Sequence, residues 1–338
     1  MKDRQVHLPA LSGSFEIGHV SVRNRAVLAP MSGVTDLPFR QLAWRFGAGL
    51  VVTEMVASRE LVANKGESWA RLRNAGMTPH VVQLAGREAH WMAEAAKIAA
   101  DNGADIIDIN MGCPAKKVTG GYSGSALMRD PDHALTLIEA TVNAVDVPVT
   151  VKMRLGWDEN TLNAPDIAAR AEAAGVKLIT IHGRTRMQFY EGKADWDAIR
   201  AVRDAISIPL IANGDVETES NATEILLRSG ADAVMVGRGA QGQPWLPAVL
   251  AGHEPPARED IVDIAIEHYE MMLEFYGLEA GLRHARKHLG WYLDRFAPST
   301  TPEEKVLMMT SKNTREVIAV LGGALRRGAD DDAARKAA

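Results

Sequence analysis

The sequence predicts an α/β protein: a (β/α)8 TIM barrel with a small C-terminal helical domain. Three observations point that way. Eight short apolar, β-branched runs recur roughly every 25–30 residues with helical patterning between them, room for one strand, one helix and two short loops. Alternate runs are entered differently, the second, fourth, sixth and eighth through Gly47, Gly103, Gly175 and Gly230, the third, fifth and seventh through Pro79, Pro148 and Pro209. The repeating pattern ends near Leu250, where Gly252-His253-Glu254-Pro255-Pro256 reads as a linker before amphipathic helices.

The elements follow in order. Met1 to Ala10 is polar and broken by Pro9, so no signal peptide is expected. Phe15-Glu16-Ile17 and Val20-Ser21-Val22 flank Gly18-His19 as a hairpin, at about residues 15–22, placed to plug the base of the barrel. The strands are expected at Ala26–Ala29, Leu50–Thr53, His80–Leu84, Asp105–Ile109, Val149–Met153, Leu178–Ile181, Pro209–Ala212 and Ala233–Val236. Each is apolar on both faces, as strands covered by helices require. A glycine closing a helix is a left-handed cap, and a proline at the first strand residue costs no ladder hydrogen bond. Their alternation suits a closed barrel whose odd and even strands fill different interior layers. The rival is an open doubly wound sheet, which needs a strand-order reversal that sequence does not display.

One interval is anomalous. Strands four and five lie about 43 residues apart, and a loop of that excess on a barrel's active face is usually functional. It holds the only cysteine, Cys113, and Gly120-Gly121-Tyr122-Ser123-Gly124, whose glycines suit a moving lid. Residues 1–250 are therefore assigned to the barrel and 257–322 to a helical domain. Its helices are expected at about Glu259–Tyr276, Glu279–Phe296 and Pro302–Leu321. Residues 323–338 are expected to fray, because Arg326–Ala338 mixes like charges with alanine and has no apolar face.

Composition narrows the function classes. With 46% hydrophobic and 24% charged residues, the 338-residue chain has the make-up of an ordinary soluble globular protein. A formal net charge of −5 gives no global sign of nucleic-acid binding, so any basic surface must be local. No run approaches a membrane span, no protein partner is indicated, and a single cysteine without an export signal points to the cytoplasm.

Catalytic candidates come from the carboxyl ends of the strands, where such barrels place their chemistry. Those ends carry Pro30-Met31-Ser32, Glu54, Gln83, Asn110 with Cys113, Lys152 with Arg154, His182 with Arg184, Asn213-Gly214-Asp215 and Gly237-Arg238-Gly239. Together they describe a polar ring around one pocket, although Glu54 by itself reads as a loop residue facing water. Cys113 lies in Asn110-Met111-Gly112-Cys113-Pro114, followed at once by Lys116 and Lys117, a setting that favours a reactive thiol over a buried bystander. The ends of strands seven and eight fit the usual phosphate seat: glycines expose backbone N–H groups and Arg238 adds charge. Gly237 to Gly242 also matches a G-x-G-x-x-G spacing, but no second strand with an acidic residue follows, so no dinucleotide fold is inferred. Lys152 can form a Schiff base, hold a phosphate, or stabilise the anionic face of a reduced flavin, with Gln83 at the carbonyl edge. A phosphate seat, a central lysine and a lone thiol together fit an FMN enzyme. His284 and His288 stand one helical turn apart, but no Glu follows the first and no third ligand is evident, so no metal site is assigned.

In the second C-terminal helix Leu282, Ala285, Leu289, Leu293 and Phe296 make an apolar stripe. Arg283, Lys287, Trp291 and Arg295 fall on the other side with both histidines. Such a face serves an RNA-binding helix, with charge for phosphates and a ring for stacking, or is a solvated face with Trp291 packed on the barrel.

With these residues assembled, the chain resembles the bacterial tRNA-dihydrouridine synthases, most nearly their B-type subfamily, over roughly Phe15 to Leu321. The motifs are Leu28-Ala29-Pro30-Met31-Ser32-Gly33-Val34-Thr35-Asp36, Asn110-Met111-Gly112-Cys113-Pro114, His182-Gly183-Arg184-Thr185-Arg186, Asn213-Gly214-Asp215, and Arg286-Lys287-His288 with Trp291-Tyr292. The one departure is Ser32, where alanine is frequent, a mild change at a backbone contact. The resemblance implies bound FMN, NADPH as reductant and tRNA as substrate. It places Pro30, Met31, Ser32, Gln83 and Lys152 on the flavin ring with His182 nearby. It places Asn213, Gly214, Asp215, Gly237 and Arg238 at the phosphate end, Asn110 on the uracil edge, and Arg283 and Lys287 on tRNA. The implied reaction reduces the C5=C6 bond of a D-loop uridine, hydride passing from flavin N5 to C6 and a proton from Cys113 to C5. Extracting a uridine from folded tRNA favours a basic helical domain beside the barrel mouth. Two alternatives stand: a dihydroorotate dehydrogenase-like FMN barrel acting on a free pyrimidine, which gives no reason for basic C-terminal helices, and a non-catalytic RNA-binding protein on the same scaffold.

Overall fold

The computed structural model describes residues 8–337, so the expectation for Met1 to Ala10 falls outside the described residues at positions 1–7. The hairpin forms where turn chemistry places it: β1 (Phe15–Ile17) and β2 (Val20–Val22) pair antiparallel, Phe15 opposite Val22. Alternation turns Phe15, Ile17 and Val22 to one side, and that side closes the barrel's base. They cluster with Val27, Leu50, Val81, Ile106, Leu178, Ile211 and Ala233, all buried. Burying side chains of this size stabilises the fold by about 1.5–3 kcal/mol each.

The ring is made of parallel strands: β3 (Ala26–Leu28), β4 (Leu50–Val51), β5 (Val56–Ala57), β6 (Val81–Ala85), β7 (Ile106–Met111), β8 (Val149–Arg154), β9 (Leu178–His182), β10 (Leu210–Asn213) and β11 (Ala233–Val236). Their order is β4-β3-β11-β10-β9-β8-β7-β6-β5. A parallel bridge from Val52 to Val81 joins the two ends and closes the barrel. All eight expected strands are present. Gly47, Gly103, Gly175 and Gly230 all have positive φ, as left-handed helix caps require.

The second stave corrects the sequence reading. Instead of one strand over Leu50–Thr53, its lower part, β4, pairs with β3 and its upper part, β5, pairs with β6. Side chains take over where the ladder breaks: the Thr53 hydroxyl accepts the Gln83 N–H (3.0 Å) and Glu54 Oε1 accepts the Gly33 N–H. Glu54 is therefore buried rather than facing water. The fourth expected strand also runs further, so Asn110 and Met111 belong to β7 and not to the loop after it.

Register distributes the inward side chains in layers of alternate staves. Val52, Asp108, Thr180 and Met235 line a small internal void above the plug. One step higher, Ala29, Gln83, Lys152 and Asn213 form the floor of a large cavity.

Beyond the barrel, helices Ile261–Tyr276, Leu278–Phe296, Pro302–Thr310 and Thr314–Ala337 share a second apolar cluster containing Tyr269, Leu289, Tyr292, Leu293 and Leu321. They lean on the Leu37–Phe46 helix: His268 meets Phe39 edge-on at 5.6 Å, and Arg45 makes a two-pronged ion pair with Glu267 at 2.6 Å. Two expectations are corrected here. The helix expected over Pro302–Leu321 is broken at Ser311, and Asn313 restarts it by accepting the Arg315 and Glu316 N–H groups (3.2 and 3.4 Å). Residues 323–337 are helical, the last helix continuing to Ala337. Ala324 and Leu325 are buried, Gly328 lies against the Phe296 carbonyl, and Asp332 binds Arg258 at 2.8 Å. Small residues there allow close helix approach, which the charge count concealed.

Candidate active site

The strand ends converge on a cavity of about 500 Å³, within the range of small-molecule and cofactor sites. Every catalytic and cofactor candidate lines it: Pro30, Met31, Ser32, Gln83, Cys113, Lys152, His182, Asn213, Gly214, Asp215, Gly237 and Arg238, together with Asn110. Arg283 and Lys287 do not.

Lys152 rises from the floor on β8. Burial, reinforced by nearby Arg154, pushes its ammonium down to about 8. Its Nζ donates to Asn213 Oδ1 (3.2 Å), and among the described residues no carboxylate lies within ion-pair distance. A part-buried cation lining a cavity, with no carboxylate in ion-pair reach and only the more distant charge of Asp108 beneath it, suits an anionic ligand. Arg184, almost fully buried, donates to the Asp215 carboxylate (2.7 and 2.9 Å), and its Nη1 lies 3.2 Å from His182 Nε2. Arginine only donates, so His182 Nε2 accepts and the ring proton sits on Nδ1. Burial, then the surrounding cations led by Lys152, holds His182 well below its usual range and neutral.

Asp215 lines the cavity beside Arg238. Its carboxylate is taken up by Arg184, by the Ala194 N–H (2.7 Å) and by Arg238 (3.4 Å), so it orients two arginines and leaves only its backbone for an anion. Gly214 and Gly237, without side chains, bring backbone to the wall. This donor set fits FMN: cation and amide on the floor, arginine and bare backbone at the β10–β11 end.

Cys113 stands half-buried on the wall. Burial pushes its thiol up, with a hydrogen bond from the Ala115 backbone and the charges of Arg154 and Lys152 opposing, so at neutral pH it is protonated. The loop expected to act as a lid is folded back on it: Ser125 donates through Oγ (2.9 Å) and N–H (3.1 Å) to the Cys113 carbonyl. Gly124, at φ +61°, sits where a Cβ would lie 2.8 Å from that carbonyl oxygen, so only glycine fits. Arg154 Nε holds the Gly112 carbonyl (2.8 Å) from the other side.

Three contributors escaped sequence reasoning. Asp108 and Thr150 lie under the floor, signalled only by polar residues at inward positions of otherwise apolar strands. Tyr190, half-exposed at the mouth, lies 5.5 Å from the Arg154 guanidinium and 5.3 Å from that of Arg238; nothing in its local sequence marks it.

On the helical side, Arg283 is exposed. Lys287 is half-buried, reaching over Gly33, where the charges of Asp36 and Glu54 favour its cation against the cost of burial. Tyr276 donates to Asp36 (3.1 Å) and stacks on His284 at 4.2 Å, tying the helices to the barrel rim. The basic face is narrower than expected. His288 points into the core against Phe39, His268 and Trp291, and the backbone of Trp291 closes on Gly242. Among the described residues no helix is long and apolar enough to cross a membrane.

Comparison with known proteins agrees with this geometry. Residues 27–323 match the family described as "Dihydrouridine synthase (Dus)". A probable tRNA-dihydrouridine synthase of Rhizobium leguminosarum bv. phaseoli is 76% identical over 312 residues, covering 92% of this chain and 98% of that protein. One from Rhodobacter capsulatus is 59% identical over 308 residues, covering 88% and 94%. The tRNA-dihydrouridine synthase B of Pseudomonas aeruginosa is 46% identical over 285 residues, covering 82% and 86%. Among solved structures, morphinone reductase superposes with a TM-score of 0.51 at 15% identity, over 75% of this chain and 92% of its own, a likeness of fold alone.

Proposed function

Since the chain belongs to the dihydrouridine synthase family, we propose that it reduces the C5=C6 bond of a uridine in tRNA with FMN as resident cofactor, NADPH as reductant and Cys113 as acid. The observation that carries this is the pairing, in one cavity, of a part-buried Lys152 outside ion-pair reach of any carboxylate among the described residues and a protonated Cys113. A free-pyrimidine reductase would need the same floor but not the exposed Arg283 on a helix beside the mouth.

Pro30 to Ser32, Gln83 and Lys152 would hold the flavin ring, and Gly214, Gly237 and Arg238 its phosphate end. When bound, FMN supplies the hydride that adds at uracil C6. Negative charge then builds toward C5 and O4 of the base. Cys113, still protonated at neutral pH, delivers its proton to C5. Its partial exposure lets solvent restore that proton. Asn110 spends one N–H on Gln83 and its oxygen on the loop backbone, leaving one N–H for a uracil carbonyl. Neutral His182 adds no further positive charge beside Lys152.

The test is direct. The purified protein should be yellow, release FMN on denaturation, and consume NADPH only with tRNA lacking dihydrouridine; NADPH oxidation driven by free uracil or orotate, or turnover of free dihydroorotate without RNA, would overturn the reading. Arg283→Ala is expected to weaken tRNA binding and to lower the slope of log affinity against log salt by about 0.7–0.9, one phosphate contact. An unchanged slope in a titration from low to high salt would remove this helix from the RNA surface.

A further inference from the structure

Asp108 is a fully buried carboxylate on β7, beneath the cavity floor and pointing into the barrel. The register sets it beside Gln83 of β6 and Thr150 of β8. Its Oδ1 accepts from Thr150 Oγ1 (2.6 Å) and its Oδ2 from Gln83 Nε2 (2.7 Å). Gln83 Oε1 accepts from Asn110 Nδ2 (2.7 Å). Asn110 Oδ1 accepts the N–H groups of Cys113 (3.0 Å) and Gly112 (3.3 Å). Four hydrogen-bonded groups thus run unbroken from the barrel interior to the backbone of the cysteine.

The direction of this chain is forced. Backbone N–H groups only donate, so Asn110 must turn its oxygen to the loop and its nitrogen to Gln83. Gln83 must then turn its oxygen up and its nitrogen down. A glutamine nitrogen only donates, so something beneath it must accept. Had an apolar side chain stood there, the amide nitrogen would be buried without a partner, or both amides would flip and present an N–H to the Cys113 N–H. The buried acid has a purpose that core packing does not supply.

We propose that Asp108 is a positioning residue: as the terminal acceptor it fixes the orientation of the Gln83 and Asn110 side chains and through them the placement of Cys113. What the site requires at position 108 is an acceptor of this shape, not a negative charge. Asparagine, its Oδ1 toward Gln83 and its Nδ2 toward the Thr150 hydroxyl, satisfies that requirement; leucine does not. The inference rests on the proposed role of Cys113 only for its effect on rate.

The experiment compares wild type, Asp108→Leu and Asp108→Asn, with Asp108→Ala in place of leucine should that variant not fold. Cys113 alkylation by iodoacetamide is followed in flavin-free protein, alongside single-turnover uridine reduction in FMN-loaded enzyme. In the leucine variant the alkylation rate is expected to change at least ~5-fold and single-turnover reduction to fall ~10–100-fold, the scale of a small misplacement of a reacting group. The asparagine variant should return both to within ~3-fold of wild type. Native alkylation and turnover in a folded leucine or alanine variant would overturn the relay. An asparagine variant as impaired as leucine would show that charge is required, and would overturn the orientation argument. Should Cys113 have no part in turnover, reduction will be indifferent to its removal while the alkylation result still decides the relay.

Discussion

Cys113→Ala is expected to lower single-turnover uridine reduction by about 10²–10⁴-fold, the usual contribution of a placed general acid, while the protein stays yellow and is still reduced by NADPH. The thiol is the only titratable group on its loop segment that lines the cavity, and the neighbouring lysines, Lys116 and Lys117, lie on a short helix that does not line it. Alanine keeps the backbone contacts to Asn110 and Ser125 and removes the thiol, together with the hydrogen bond it accepts from the Ala115 backbone. The pH profile carries the same information with a definite sign. An acid acts in its protonated form, which holds below its pKa and is lost as pH rises through it. Burial pushes this thiol up, so the thiol-dependent fall in wild-type turnover should lie to the alkaline side of an ordinary thiol's and be absent near pH 7. Full reduction by the alanine variant would assign the proton to another donor.

Lys152→Met is expected to weaken FMN binding by about 10–100-fold near pH 7, the loss of one charge-assisted hydrogen bond of roughly 1.5–3 kcal/mol. It should also lower the potential of the bound flavin, because the cation favours the reduced, anionic ring. Burial holds the lysine at about 8, so its charge is present below that pH and lost above it. Wild-type affinity, measured by quenching of flavin fluorescence, should therefore fall as pH rises through about 8 and beyond, the bound anion moving the fall upward. The methionine variant should be flat there. A wild-type profile without that fall would mean that Lys152 does not meet the flavin as a cation.

The legible parts of this molecule were those where local chemistry decides the outcome. Gly47 and Gly230 mark left-handed caps, and Pro148 and Pro209 mark strand entries, so the barrel could be counted from punctuation. The cavity followed because residues just past a barrel strand share one rim. What escaped was decided by partners far away in the chain. Glu54 looks like a loop acid until Gly33 offers it an N–H. Asp108 looks like an interruption in Ile106-Ile107-Asp108-Ile109 until Gln83 and Thr150 flank it. His288 sits beside basic residues in the sequence yet turns inward to Phe39. The tail from 323 onward was misjudged because charge was weighed and close packing through Gly328 was not.

The divided second stave makes this cylinder unequal around its circumference. The other staves pair with one another in continuous register, whereas Leu50 to Ala57 hands its bonds from β3 on one side to β6 on the other, crossing at Val52. That seam runs beside Gly33 and Asp36, where Tyr276 and Lys287 of the outer bundle press on the rim. Pressure from the outer bundle therefore falls on the stretch of wall that the ladder ties least, where the hydroxyl of Thr53 and the carboxylate of Glu54 stand in for missing backbone pairs.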